Sequence, residues 1–336
     1  LAAELGGDGF SSKAFFTKLG KDFAHMLVLQ CSHQRIAGAF VLAHGHGQQL
    51  LARPATLEAG VLDHDVCGED RQTGGDISDL SVLANTIRSM RPDVIVNAAA
   101  HTAVDKAECE PEFARLLNAT TPGAVARVAA EIGALLLHYS TDYVFDGSGS
   151  RPWTEADAPA PLSVYGQTKW EGEQAIQASG CQHLILRTSW VYAARGHNFA
   201  KTMLRLASER ERLAVINDQW GAPTSAELLA DITAHAIAHL QRHPQDGGLY
   251  HCTASGETHW HGYASYVIAQ ARSLAPARPW QVQEIAPVAT SAFPTPAQRP
   301  LNSRLNCTKL ETTFGLQLPH WKKGVARMLD EIMISN

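Results

Sequence analysis

The sequence has no Cys-x-x-Cys pair, no run of basic residues and no apolar stretch near the ~20 residues that a membrane-spanning helix requires. Its six cysteines (Cys31, Cys67, Cys109, Cys181, Cys252 and Cys307) are scattered, which reads as separate thiols in a reducing compartment and not as a disulfide framework. Lys and Arg number 28 against 33 Asp and Glu, a net charge of −5 with no stripe to track phosphates, which argues against a nucleic-acid partner. The opening Leu1-Ala2-Ala3-Glu4 lacks the basic start and apolar run of a secretory signal, so a cytoplasmic protein with no membrane partner is expected. The 16 histidines offer no zinc pattern. His235 and His239 have helical spacing without the glutamate of a His-Glu-x-x-His motif, and His259 and His261 alternate like one face of a strand.

What is present is an alternation of strands and helices. Ala39–Ala43 is a short apolar run ending at Gly45-His46-Gly47, a buried strand entering a turn, and Val61-Leu62 is a weak second strand. A helical pattern from Ser81 to Met90 leads to the β-branched Val94-Ile95-Val96, and an Ala/Val-rich helix from Gly123 to Ile132 leads to the strand Ala134–Tyr139. The runs Leu184–Leu186 and Leu213–Ile216 continue the series, whereas residues 1–36 show no clear periodicity. Ala275–Pro300, rich in Pro, Ala and Thr, reads as a long surface segment near a substrate mouth, and Trp321–Ile334 as an amphipathic helix. Such an alternation predicts an α/β fold with a doubly wound parallel sheet, and these sheets bind ligands at the carboxyl ends of their strands.

Tyr165 and Lys169 stand at i and i+4, on one face of a helix and within reach of one ligand. A phenol with a pKa near ~10 is a poor acid–base catalyst at neutral pH, and a nearby ammonium favours its phenolate. Pairs like this also arise as a surface aromatic beside a solvated lysine. The upstream segment His138–Phe145 strengthens the catalytic reading, because it ends a buried strand with the hydroxyls of Ser140 and Thr141. A hydroxyl there can support an oxygen that gains charge during hydride transfer, although Ser140 can equally cap the strand end. Asn97-Ala98-Ala99-Ala100-His101 follows the Val94–Val96 strand, and three small residues there allow either a cofactor or a helix to pack against the backbone.

From about Gly75 to the C-terminus these stretches resemble the dTDP-4-dehydrorhamnose reductases, a family of the extended short-chain dehydrogenase/reductase superfamily. The similarity is carried by Pro92–Glu108, Ser140–Phe145, Tyr165–Lys169, Arg187–Tyr192, Asn198–Met203, Asp218–Thr224 and Arg299–Ser303. It implies a Rossmann-like dinucleotide-binding domain over 37–183 and a substrate-binding subdomain over 184–336 with segments returning to the first, after an unmatched segment 1–36. It also implies NADPH- or NADH-dependent reduction of the C4 ketone of a dTDP-linked sugar in polysaccharide precursor synthesis. Tyr165 would be the proton donor, with Lys169 and Thr141 as its partners. Cofactor contacts would come from Gly47, Gln48, Asp76, Ile77, Asn97, Ala99, Ala100, His101 and Thr102, besides Tyr165 and Lys169. The nucleotide-sugar would be held by Thr141, Asp142, Trp190, Asn198, Lys201, Arg299 and Asn302. A homodimer comes with the resemblance, as does Mg²⁺ held through Glu227 and Glu331, although Ala52 stands where a third carboxylate is expected.

Two other readings compete. Related epimerases and dehydratases use bound NAD⁺, but dehydratases add a glutamate beside the aspartate, and here Asp142 is followed by Tyr143. A regulatory subunit of methionine adenosyltransferase keeps the fold as a binding module, against which the retained Tyr165, Lys169 and Thr141 argue. The resemblance fails at the Gly-rich turn. Glycines are expected at 44, 47 and 50, where the chain has His44, Gly47 and Leu50, and the acidic ribose partner expected near 67 is Cys67, with Asp63 and Asp65 as the nearest substitutes. The abrupt return of the similarity at Gly75 leads us to expect that residues 1–74 are a translated artefact, such as a frameshift or a wrong start, and not a divergent stretch. The chain as written should then bind the cofactor weakly. Titrating NADPH against protein fluorescence checks this, and a micromolar dissociation constant would contradict it.

Overall fold

The computed structural model describes residues 25–32, 35–43 and 77–334. A six-stranded sheet carries the strands β1 (His25–Ser32), β2 (Arg35–Ala43), β3 (Val94–Asn97), β4 (Leu135–Thr141), β5 (His183–Thr188) and β10 (Gly248–His251) in the order β10-β5-β4-β3-β1-β2. Five of them run parallel, and β2 pairs antiparallel with β1 at the edge. Three two-stranded ribbons complete the strands: β6 (Val191–Tyr192) with β9 (Thr224–Ser225), β7 (Arg212–Ile216) with β12 (Glu284–Val288), and β8 (Trp220–Gly221) with β11 (Thr258–His259).

Strands β3, β4 and β5 are buried on both faces, which is why they read as largely apolar runs. Ile95, Leu136 and Ile185 pack on one side against Leu83 and Ile87 of helix Leu80–Met90, Val125 of helix Thr121–Ile132 and Ile176 of helix Val164–Ala178. Val96, Leu137, Tyr139 and Leu186 pack on the other side against Leu229 and Ile237 of helix Ala226–Leu240 and against Phe314. Helix boundaries follow local chemistry. The Asp79 carboxylate caps Leu80–Met90 by accepting from the Ser81 and Val82 N–H groups, and Arg91, in the left-handed region just before Pro92, ends it. A third apolar cluster joins helices Phe199–Glu209, Trp260–Leu274 and Trp321–Ile334 through Leu204, Tyr263, Val267, Val325 and Leu329.

The sequence expectations need four corrections. One parallel neighbour of β3 is His25–Ser32, inside the stretch read as lacking periodicity, because a strand signal of four apolar residues (Met26–Leu29) is short. The run Ala39–Ala43 lies in β2 and is antiparallel, since the two residues between β1 and β2 are far fewer than a parallel crossover needs. The run Leu213–Ile216 does not continue the main sheet but forms β7 in a separate ribbon. Its partner β12 interrupts the Ala275–Pro300 segment, and its Pro287, tolerated on an edge strand, disguised it. Val61-Leu62 lies outside the described residues, and helix Trp321–Ile334 forms as expected.

A buried ion pair ties the Val164–Ala178 helix to β5. Arg187 Nε and Nη2 donate to the two Glu173 oxygens at 2.9 and 2.6 Å, and the guanidinium lies 5.0 Å from the centre of the Phe145 ring. Glu173→Ala would strand a buried guanidinium, and the expected loss is about 3–5 kcal/mol of unfolding free energy, read from urea denaturation. A loss below about 1 kcal/mol, the scale of an exposed pair, would contradict the anchoring role.

Candidate active site

The carboxyl end of β4 meets the first turn of helix Val164–Ala178, where Thr141 stands against Tyr165. Ser163 caps that turn, its hydroxyl accepting from Gly166 N–H at 3.2 Å, and Glu108 Oε1 accepts from Val164 N–H at 2.8 Å. Two glycines let the helix descend onto its neighbours. A Cβ at Gly166 would stand 2.2 Å from the Tyr143 carbonyl oxygen, and one at Gly172 would stand 2.1 Å from that of Asn118. Asn118 in turn staples the loop after β3 to the same helix, accepting from His101 N–H and donating to the His101 carbonyl and to Thr168 Oγ1. Tyr165 is thereby set beside the end of β4.

The Tyr165 phenol is hydrogen-bonded to the Thr141 hydroxyl, and burial pushes its pKa up to about 12, Thr141 working against that shift and Asp142 with it. The phenol therefore keeps its proton at neutral pH. Thr141 Oγ1 donates to Asp142 Oδ1 at 3.2 Å and accepts from Tyr143 N–H at 3.1 Å. Burial pushes the Asp142 carboxyl up to about 7, with Ser303 and Thr141 hydrogen bonds opposing. Three buried oxygens here have no protein partner: Ser140 Oγ, Asp142 Oδ2 and Thr188 Oγ1, the last on the register partner of Thr141. Buried polar atoms left unpaired are costly, so each of the three favours a polar atom of a ligand or a water.

Lys169 is buried but departs from the expected pairing. It shares the helix face of Tyr165, yet its Nζ donates to the Tyr139 carbonyl at 2.7 Å and lies 2.9 Å from His138 Nε2. Burial pulls its pKa down to about 7, and it takes no part in the shift of Tyr165. The tuning ammonium expected beside the phenol is thus aimed at the sheet, because a desolvated amine takes the nearest backbone carbonyl.

The remaining candidates fall into three groups. Asn97, Ala99, Ala100, His101 and Thr102 line the exit of β3, where His101 Nδ1 is buried without a partner and His101 Nε2 meets Glu110 at 2.6 Å. Ile77 is buried in the core near Thr121, which donates to its carbonyl. Gly47, Gln48 and Asp76 lie outside the described residues.

The residues named for the nucleotide-sugar, other than Thr141 and Asp142, are held in protein contacts. Trp190 has a strained positive φ of 49°, stacks on Trp260 with ring centres 3.8 Å apart and lies against Gly221. Asn198 caps helix Phe199–Glu209 and donates to the Ala193 carbonyl, and Lys201 Nζ donates to the carbonyls of Ala194 and Gly196. Arg299 makes a forked pair with Asp105 at 3.0 and 2.8 Å, and Asn302 donates to the carbonyls of Ser148 and Arg151.

Glu227 sits in the first turn of helix Ala226–Leu240, and Glu331 lies on helix Trp321–Ile334. Among the described residues, no group of three or more His, Cys, Asp or Glu side chains stands ready for a metal. None of the described helices is long and apolar enough to cross a membrane.

Residues 41–334 match the family described as the RmlD substrate binding domain. The chain is 60% identical over 258 residues to the dTDP-4-dehydrorhamnose reductase of Escherichia coli (strain K12), covering 77% of this chain and 86% of that one. The chain belongs to the dTDP-4-dehydrorhamnose reductase family. Among solved structures, a family member from Clostridium acetobutylicum superposes with a TM-score of 0.69 at 36% identity, over 76% of this chain and 87% of that one. One from Bacillus anthracis, solved in complex with NADP, gives 0.68 at 34% identity over 76% and 86%.

Sequence reasoning passed over Asn118, Gly166, Gly172 and the role of His138. A signal existed for His138, since Asn97 and His138 are polar residues placed in otherwise apolar buried strands. For Asn118 and the glycines there was none, because only the packed helix shows what they touch.

Asp142 gives a pH test. Its folded pKa of about 7 exceeds the ordinary 3.8, so the folded chain binds the extra proton. The stability this group contributes is fully present below the unfolded pKa and is lost as pH rises through about 7. Asp142→Asn should therefore raise stability above neutrality by roughly 2–4 kcal/mol and little at low pH, measured as urea midpoints at both pH values. An equal change at both would refute the assignment.

Proposed function

We propose that the chain reduces the C4 ketone of dTDP-4-dehydro-L-rhamnose to dTDP-L-rhamnose, a step in supplying sugar for cell-surface polysaccharide. The observation that carries this reading is the buried Tyr165 phenol, hydrogen-bonded to Thr141 at the carboxyl end of β4. A nicotinamide cofactor supplies the hydride when bound. Tyr165 gives its proton to the sugar oxygen as charge develops there, and Thr141 holds the phenol in place. Asp142, protonated below about pH 7, can donate to a sugar hydroxyl, and Ser140 and Thr188 add two more polar contacts.

Asn97, Ala99, Ala100, His101 and Thr102 would form the wall for the nicotinamide half, with Lys169 reaching a ribose hydroxyl. Gly47, Gln48 and Asp76 would hold the other half. Trp190, Asn198, Lys201, Arg299 and Asn302 would shape the sugar-nucleotide side mainly by fixing its loops. The NADP bound to the Bacillus anthracis relative supports trying NADPH before NADH. Residues 37–183 as the cofactor domain and 184–336 as mainly the substrate subdomain are part of this reading, as are a homodimer and a cytoplasmic location. Mg²⁺ is left out, since Glu227 and Glu331 have no third carboxylate among the described residues.

Turnover tests the proposal directly. With dTDP-4-dehydro-L-rhamnose and saturating NADPH, nicotinamide absorbance should fall with time, and Tyr165→Phe should slow that fall about 10²- to 10⁴-fold. Bound nucleotide with a flat trace would favour the non-catalytic binding module, and an undiminished Tyr165→Phe variant would remove the phenol from the reaction.

A further inference from the structure

Behind Lys169, three polar side chains lie buried in a line across the ends of β3 and β4. Asn97 and His138 are register partners on these neighbouring strands, and Lys169 reaches them from the helix above. The Ala99 N–H donates to Asn97 Oδ1 at 3.1 Å, which turns the amide so that its Nδ2 lies 3.1 Å from His138 Nδ1. An amide nitrogen only donates, so His138 Nδ1 accepts and the ring proton sits on Nε2. That Nε2–H faces Lys169 Nζ at 2.9 Å, while Nζ donates to the Tyr139 carbonyl at 2.7 Å. Two donors cannot face each other, and only an uncharged amine has a lone pair to accept with. The reverse arrangement, an ammonium donating to Nε2 with the ring proton on Nδ1, would require the Asn97 amide to turn over. The buried Ala99 N–H would then confront an amide NH₂ group and lose its acceptor.

We propose that His138 is a positioning residue that holds Lys169 as a neutral amine in the cofactor-free protein, through an Nε2–H donor whose tautomer Asn97 sets. The surrounding charges agree. Glu173, one turn along the helix, is the carboxylate that acts on Lys169, but both its oxygens are engaged by Arg187. The other charges on the packed elements are committed elsewhere: Glu108 to Val164 N–H, Asp105 to Arg299, Arg115 to Glu171, and Glu131 to Arg88. Arg127 lies on the same helix as Glu131, and at the site end stand Tyr165 and Asp142, of which Asp142 is itself pushed toward neutrality. Burial drives Lys169 down to about 7 and His138 well below its ordinary range, in the same sense as the hydrogen-bond logic.

The protonation states do not rest on the reductase reading. The full chain with ¹⁵N-labelled imidazoles, free of cofactor, should show His138 as a non-titrating Nε2–H tautomer across the range in which exposed histidines titrate. An Nδ1–H tautomer, or a His138 that titrates with the exposed ones, overturns the proposal. In chain labelled at the lysine ε-carbon, the Lys169 resonance should titrate near neutrality, and His138→Leu should raise that midpoint by about one pH unit, with His138→Gln restoring it in part. An unmoved midpoint in a folded His138→Leu variant also overturns it, and should that variant not fold, the tautomer in the unaltered chain decides. Finding the Nε2–H tautomer in a chain without turnover would support this proposal while counting against the reductase reading.

Discussion

The hydrogen bond from Lys169 Nζ to the Tyr139 carbonyl joins the Val164–Ala178 helix to the end of β4, and the geometry of the site depends on it. The helix reaches that carbonyl only because Gly166 and Gly172 present no side chain to the backbones of Tyr143 and Asn118. Interiors are packed so closely that a single methyl group at either position must move one backbone or the other. With the helix seated, Tyr165 meets Thr141, and Glu173 meets Arg187 on the far side of Lys169. One docking event therefore places the phenol, its hydroxyl partner and the buried amine together.

Burial then decides the protonation states. The same desolvation pushes Tyr165 and Asp142 up and Lys169 and His138 down, so each of the four favours its uncharged form. The buried charges that remain, Glu173 and Arg187, compensate each other at hydrogen-bonding distance. Lys169 and Asp142, both near 7, stand close to the point where a bound ligand can shift their charge. The oxygens of Ser140, Asp142 and Thr188 lack protein partners at the same strand ends, so hydrogen-bonding capacity has been left for that ligand.

Much of the fold was legible in the chain because helix and strand periodicities are local. Val94–Val96, Leu184–Leu186 and the Trp321–Ile334 helix stand where their apolar patterns put them. The strands β1 and β12 escaped notice for local reasons too, a four-residue apolar run in one and a proline in the other. At the site, the Tyr–Lys spacing and the hydroxyls closing β4 were readable, and Tyr165 does meet Thr141. The roles of Arg299, Asn302, Asn198 and Lys201 were not, since a polar side chain in a loop looks the same whether it awaits a ligand or fastens the loop. Here Arg299 is fastened to Asp105, and Asn302 to the 148–151 turn.

By itself the sequence determined the alternating α/β order, the family to which the chain belongs, and the placing of Tyr165 and Lys169 on one helix face at the end of β4. Those properties follow from spacing along the chain, which sets which residues share a face before anything packs. The tertiary structure alone decided where Lys169 points, which side chains His138 meets and which polar atoms remain unpaired. Such outcomes depend on donors and acceptors brought together from β3, β4 and a helix some thirty residues later in the chain, and on the burial that makes each unpaired group costly.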